Sequence, residues 1–163
     1  MNCLRMHGIK EDIMDKLESS RNLMKWLSVT NRFTGMALDK ELAEIGLNSS
    51  QHFFVIKICE EPGITQDKLQ ALVYLNPSNI TRGIAQLAKK GFVTKETNSR
   101  DKRTSCLYPT EKAKACYQKI KTIQKNWLKI LTENFTDEES ALLCTLVERT
   151  AQNALDFFND EQA

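Results

Sequence analysis

The stretch NPSNITRGIAQLAKKGF, residues 76–92, restricts the fold more than any other part of the chain. Asn76 is a strong helix N-cap, and Pro77 suits the first helical position, where its missing N–H would have no partner anyway. Gly91 is a natural helix stop. Ile80, Ile84 and Leu87 recur at i, i+4 and i+7, so this helix buries one narrow face. After Gly91 the period changes. Phe92, Val93, Thr94 and Thr97 read as a strand, Asn98 to Thr104 as a connection, and Ser105 to Tyr108 as a returning strand. Upstream, ITQDKLQALVYL supplies a second short helix, with Thr65 as its cap and Leu69, Leu72 and Val73 expected to face inward.

Two short helices joined by a turn around Asn76, then a β-hairpin, make a winged helix-turn-helix. Long helical segments frame it. From Ile13 to about Ile45 there is no Pro, and apolar residues recur at mostly helical intervals, which predicts one long helix or two nearly continuous ones. LNSSQHFFVIKICEEPG adds a helix, with a cap expected at Asn48 or Ser49 and a stop at Pro62-Gly63. Thr110 is placed to cap a helix through EKAKACYQKIKTIQKNWLKILTENF, and Thr136 with Glu139 forms a capping box for a last helix to about Phe158. The expected class is mainly α (α+β): an N-terminal helical dimerisation region over 1–47, a winged helix-turn-helix lobe over 48–110, and a C-terminal helical dimerisation region over 111–163.

The net charge of +2 conceals an uneven distribution. Residues 62–112 hold 9 Lys and Arg against 4 Asp and Glu, a net +5, whereas 1–61 and 113–163 come to −1 and −2. A basic middle between slightly acidic arms suits an element that meets a polyanion, although a solvated basic face has the same composition. Four successive charges, Arg100, Asp101, Lys102 and Arg103, stand at the expected tip of the hairpin. A solubilising loop would explain them equally well in isolation.

The order of elements, with NPSNITRGIAQLAKKGFVTKE followed by NSRDKRTSCLYPTEKA, resembles the MarR family of bacterial transcription regulators over nearly the whole chain. The most specific parts are the Asp-x-Arg of Asp101 and Arg103, LYPTEKA opening the next helix, and LAKKGFV entering the first strand. One departure stands out: Pro109 follows Tyr108 where an uninterrupted strand is usual, and is expected to end hairpin pairing one residue early. The resemblance implies a cytoplasmic homodimer, intertwined through its terminal helices, that presents two winged helices to a palindromic operator. It also implies a repressor that releases DNA when a small ligand, often aromatic, binds, or when an oxidant acts on a thiol. In that frame Arg103 is the wing side chain inserted at the minor groove, Asp101 orients it, and Arg100 and Lys102 meet phosphates.

The residues of the second short helix fit the same reading on physical grounds. Opposite its buried stripe lie Ser78, Arg82, Ala85 and Lys89, flanked by Asn79, Thr81 and Gln86. Arg82 is suited to guanine O6 and N7 or to a phosphate, Asn79 and Gln86 to adenine edges, and Ala85 to a thymine methyl. Ser78 and Thr81 are suited to phosphate. Thr65, Gln66 and Lys68 open the preceding helix, where free N–H groups favour anions. An ordinary amphipathic surface helix would carry the same pattern.

Trp26, Phe33, His52 and Phe53 are candidates to line a pocket for a small aromatic ligand, though aromatic residues at helical spacing are more often core. Five cysteines without a CxxC pair suggest neither a disulfide framework nor a metal site. Cys3, near the N-terminus, is the candidate oxidant sensor, with a frayed terminal thiol as the alternative. Only two histidines, no Gly-rich phosphate loop and no metal-ligand spacing leave no catalytic constellation, so neither an enzyme nor a cofactor is expected. A winged helix serving only as a protein-interaction module is the remaining class. It would not need the Ser78, Arg82 and Arg103 surface. No apolar run has the length of a membrane span.

Overall fold

The computed structural model describes residues 22–97 and 104–160. Its elements are α1 (Leu23–Ala43), α2 (His52–Glu60), β1 (Ile64–Thr65), α3 (Gln66–Val73), α4 (Pro77–Lys89), β2 (Val93–Thr97), β3 (Ser105–Pro109), α5 (Glu111–Leu131) and α6 (Asp137–Asp160). The chain divides into two compact units, residues 1–123 and 124–163.

In the first unit, one six-residue device ends two helices. LAEIGL (42–47) closes α1 and LAKKGF (87–92) closes α4. In each the glycine takes a left-handed conformation, φ +76° at Gly46 and +74° at Gly91, which costs a glycine nothing because it has no Cβ. The next residue then reaches back five positions: Leu47 N–H donates to Leu42 O at 3.0 Å and Phe92 N–H to Leu87 O at 2.9 Å. Each bond joins two buried apolar residues, the hydrophobic contact that accompanies a Schellman ending. The chain therefore leaves α4 already anchored by Phe92 and enters β2 in a fixed direction.

Helix starts follow the sequence with one exception. The Thr65 hydroxyl accepts Lys68 N–H at 3.2 Å, and the Asn76 side chain accepts Asn79 N–H at 2.9 Å. Thr110 Oγ1 accepts Ala113 N–H at 3.3 Å while donating to Gly91 O at 2.7 Å, which ties the start of α5 to the end of α4. Thr136 and Glu139 exchange both bonds of a capping box. The exception is α2, whose N-cap is Gln51 without a side-chain bond, not Asn48 or Ser49. The Asn48 carbonyl accepts both Gln51 and His52 N–H, so a backbone turn takes the place of a cap.

The sheet has strand order β1-β3-β2, all antiparallel. β1 is too short for a pattern of its own, and its second residue, Thr65, is itself the cap of α3. Pro109 does not end pairing early: it stands opposite Val93, and Thr110 N–H still reaches Phe92 O at 3.0 Å. The Phe92 and Thr110 pair is thus the hydrogen-bonded one. The nitrogen of Pro109 faces away from β2, beyond the end of β1, so no ladder bond is lost.

Phe54, Ile58, Ile64, Leu69, Ile80 and Leu107 are central to the core, and each is worth about 1.5–3 kcal/mol when fully buried. Leu72, expected inside, is exposed. The first part of α5 packs with Ala113, Ile120 and Ile123, and Lys119 pairs with Glu44 at 2.9 Å. In the second unit α6 carries Leu142, Leu146, Val147, Phe157 and Phe158, all exposed in the single chain. Among the described residues no helix is long and apolar enough to cross a membrane.

Candidate nucleic-acid interface

α3 and α4 are held together by side chains at their starts. Thr81 Oγ1 donates to Pro77 O at 2.9 Å and accepts from Gln66 Nε2 at 3.0 Å, a bridge from the first turn of α4 to the first residue of α3. Beneath them, Gly83 faces the ring of Phe54 on α2. A Cβ at that position would overlap Phe54 Cε2 and lie 3.1 Å from Cδ2. The glycine lets α4 approach α2 more closely than any side chain would permit.

α4 separates its faces as expected. Ile80, Ile84 and Leu87 are buried, while Ser78, Thr81, Arg82, Ala85, Gln86 and Lys89 are exposed. The structure adds which of these polar groups are already occupied. Ser78 Oγ donates to Asn76 Oδ1 at 2.8 Å, so contact with a phosphate through its proton requires the hydroxyl to rotate. Arg82 Nη2 donates to Asn79 Oδ1 at 2.9 Å across one helical turn. Asn79 is half-buried, and its carbonyl is engaged. Gln86 Oε1 accepts from Gln51 Nε2 at 2.9 Å.

On α3, Lys68 pairs with Glu61 at 2.7 Å, an exposed pair worth about 0–1 kcal/mol that a phosphate can displace. Gln66 faces Lys95 of β2 across 3.5 Å. Lys95 therefore joins the basic surface beside α3. Sequence reading counted its charge in the basic segment but gave it no role, because its proximity to Gln66 depends on strand register. Arg100, Asp101, Lys102 and Arg103 lie outside the described residues, as does Cys3.

The four pocket candidates are not brought together. A cavity of about 430 Å³ lies between α2 and the end of α3, lined almost entirely by apolar atoms of residues that include Phe53, Phe54, Leu72, Tyr74 and Leu75, with Lys57 also in its wall. Phe53 lines it; Trp26, Phe33 and His52 do not. Tyr74 closes α3 at φ 52°, a left-handed conformation unusual for an aromatic residue, and turns the chain toward Asn76.

His52 is buried, and its Nδ1 is 2.7 Å from Ser49 O, so the ring carries its proton there. Burial pulls its pKa below the ordinary 6.5. Asp39 accepts Ser49 N–H at 2.7 Å, which holds its carboxyl below the usual 3.8. These groups fix the α1–α2 connection. Burial pushes the Cys59 thiol up, the direction opposite to that of a reactive thiolate.

Comparison with known proteins agrees with this geometry. The MarR family matches residues 47–105, the segment from within the α1–α2 connection to the start of β3. An uncharacterized HTH-type transcriptional regulator of Bacillus subtilis (strain 168), YybA, is 28% identical over 113 residues, 69% of this chain and 75% of the relative. A MarR protein from Peptoclostridium difficile superposes with a TM-score of 0.80 at 29% identity, covering 85% of this chain and 91% of that one. A MarR-family regulator from Listeria monocytogenes, solved with a 26mer DNA, gives 0.77 at 26% identity over 82% of this chain and 89% of the other. Residues 47–105 thus form a MarR-family segment, and the chain shares the winged helix-turn-helix fold of MarR-family transcription regulators.

Proposed function

We propose that the protein is a cytoplasmic homodimeric repressor that reads a palindromic operator with the exposed face of α4 and releases it when a small aromatic ligand binds. The carrying observation is the division of α4 into a buried Ile80, Ile84, Leu87 stripe and an exposed polar face headed by Arg82. The Listeria relative, solved with DNA, supports the reading. Ser78, Asn79, Thr81, Arg82 and Gln86 would address the major groove, with Thr65, Gln66 and Lys68 on the flanking backbone. Arg100, Asp101, Lys102 and Arg103 would form the wing contact. No catalytic role is assigned.

Dimerisation through residues 1–47 and 111–163 is supported by large apolar side chains left exposed in one chain. Met24, Trp26 and Met36 of α1 and Leu142, Leu146, Phe157 and Phe158 of α6 are examples, and a second copy would cover them. The apolar cavity beside Tyr74 is the ligand site we favour, with Phe53 as the one pocket candidate in its wall. Two measurements test the core of the proposal. Fluorescence anisotropy with duplex DNA should show affinity falling steeply with salt; absent or salt-independent binding would refute DNA recognition. Light scattering at micromolar concentration should give a dimer, and a monomer would refute the assembly.

A further inference from the structure

Beneath α4 runs a hydrogen-bond relay that begins at a lysine. Lys90 Nζ, fixed on Gly46 O at 2.8 Å, donates to Gln51 Oε1 at 2.8 Å, and Gln51 Nε2 donates to Gln86 Oε1 at 2.9 Å. Gln51 is 2% exposed, so its amide has no solvent alternative. The direction of the relay follows from chemistry. An ammonium group only donates, so the group of Gln51 facing Lys90 must be its carbonyl. Its NH₂ then faces α4, and the group of Gln86 that meets it must in turn be a carbonyl. The exposed side chain of Gln86 is left with its NH₂ as the end that has no partner among the described residues.

We infer that Gln51 and Lys90, neither on the exposed face of α4, are specificity-determining positioning residues: they set Gln86 to present a donor to the groove. This rests on the proposed reading of operator DNA by α4. A glutamine that pairs adenine through both amide groups needs its carbonyl available to accept from N6. Here that carbonyl is already engaged, and the outward NH₂ selects acceptor edges, guanine O6 and N7, thymine O4 or adenine N7. Cytosine, whose major-groove edge offers only a donor, is disfavoured.

Selection from a random duplex library by the full-length dimer tests this. Positions read by Gln86 are those whose preference disappears in Gln86→Ala. Wild type should favour guanine or thymine over cytosine there by about 2- to 10-fold, the range of one net hydrogen bond. Gln51→Glu reverses the relay, because a carboxylate accepts from both Lys90 and Gln86 Nε2 and turns the Gln86 carbonyl outward. Its preference at the same positions should move toward cytosine, the base that offers only a donor, while preferences elsewhere stay unchanged. A structural role alone would lower affinity at every position equally. Lys90→Met, which removes the donor that sets the direction, should weaken the preference without reversing it and serves if the charged variant does not fold. In the free wild-type protein, NMR should find the Gln51 side-chain amide protected from exchange and that of Gln86 open.

Cytosine preferred by wild type, an unchanged preference in both Gln51→Glu and Lys90→Met, or no base position dependent on Gln86 would each overturn the inference. A wild-type library that fails to enrich at all would instead overturn DNA recognition. The two failures are therefore distinct.

Discussion

Gly83→Ala puts the packing of α4 against α2 to a direct test. In an unconstrained helix interior this change stabilises by about 0.8–1.0 kcal/mol, since alanine loses less backbone entropy than glycine. At position 83 the new methyl would overlap Cε2 of Phe54 and lie 3.1 and 3.3 Å from Cδ2 and Cζ. Phe54 is buried, so its ring cannot move into solvent. Overpacking costs about 1–3 kcal/mol, and overlap with a buried ring belongs to the upper part of that range, about 2–3 kcal/mol, which leaves a net loss of about 1–2 kcal/mol after the propensity gain. For a chain of this size that corresponds to a fall in Tm of roughly 2–8 °C. Gly35, on α1, has no atom within 4 Å of its Cβ site, so Gly35→Ala provides the unconstrained comparison and should gain stability. Urea unfolding followed by far-UV circular dichroism, at fixed protein concentration because the stability of the proposed dimer would depend on it, measures both. Adding Phe54→Leu to Gly83→Ala should give a double variant less destabilised than the two single losses together, with a coupling of about 1 kcal/mol. A Gly83→Ala protein as stable as wild type, or a pair of strictly additive losses, would refute the close approach.

Arg82→Ala should weaken operator binding by about 1–3 kcal/mol and relax sequence preference in a binding titration, whereas an equal loss on random DNA would assign Arg82 to phosphate. Arg103→Ala should lower affinity without altering fold, and should flatten the slope of log affinity against log salt by about 0.9 per lost phosphate contact, doubled in a dimer. An unchanged slope would remove the wing from the interface. For His52 and Asp39 the folded pKa lies below the unfolded one, so the unfolded chain binds more protons in acid. Stability should be level above about pH 6.5, fall as His52 protonates only in unfolded chains, and fall again below about 3.8. His52→Gln should abolish the first decline in urea titrations run at successive pH values.

How much of this was legible in the sequence depended on how local the cause was. Asn76, Thr65, Thr110 and the Thr136–Glu139 pair each act within four residues, and each caps the helix it was expected to cap. The three-residue stripe of α4 is equally local, because burial follows the helical period once the helix exists. Leu72 was misread for the converse reason. It lies only three residues from buried Leu69, but α3 is a single short helix that ends in the turn at Tyr74, and Leu72 opens onto a cavity instead of the core. Pro109 was misjudged because the cost of a proline depends on which side of the strand its nitrogen faces, and that is set by register with Val93, 16 residues away. Gln51 offered no local signal at all. Its partners, Gln86 and Lys90, are 35 and 39 residues distant.

The same distinction ranks the side chains of α4 by how freely they adapt to a groove. Arg82 and Asn79 are one turn apart on the surface, and their bond competes with water, so replacing it with a contact to a base or phosphate costs little. Ser78 gives up a single hydroxyl bond by rotating. Thr81 is less free, because its hydroxyl both donates to Pro77 O and accepts from Gln66, and moving it loosens α3 from α4. Gln86 is the least free, because its partner is buried and has no water to replace a lost bond, which leaves an unsatisfied amide worth about 1–3 kcal/mol. Adaptable groups near the N-terminus of α4 and a fixed one toward its C-terminus imply a division of labour. If α4 reads the operator as proposed, contacts from the first turns should tolerate variation between half-sites, whereas the base beneath Gln86 should not.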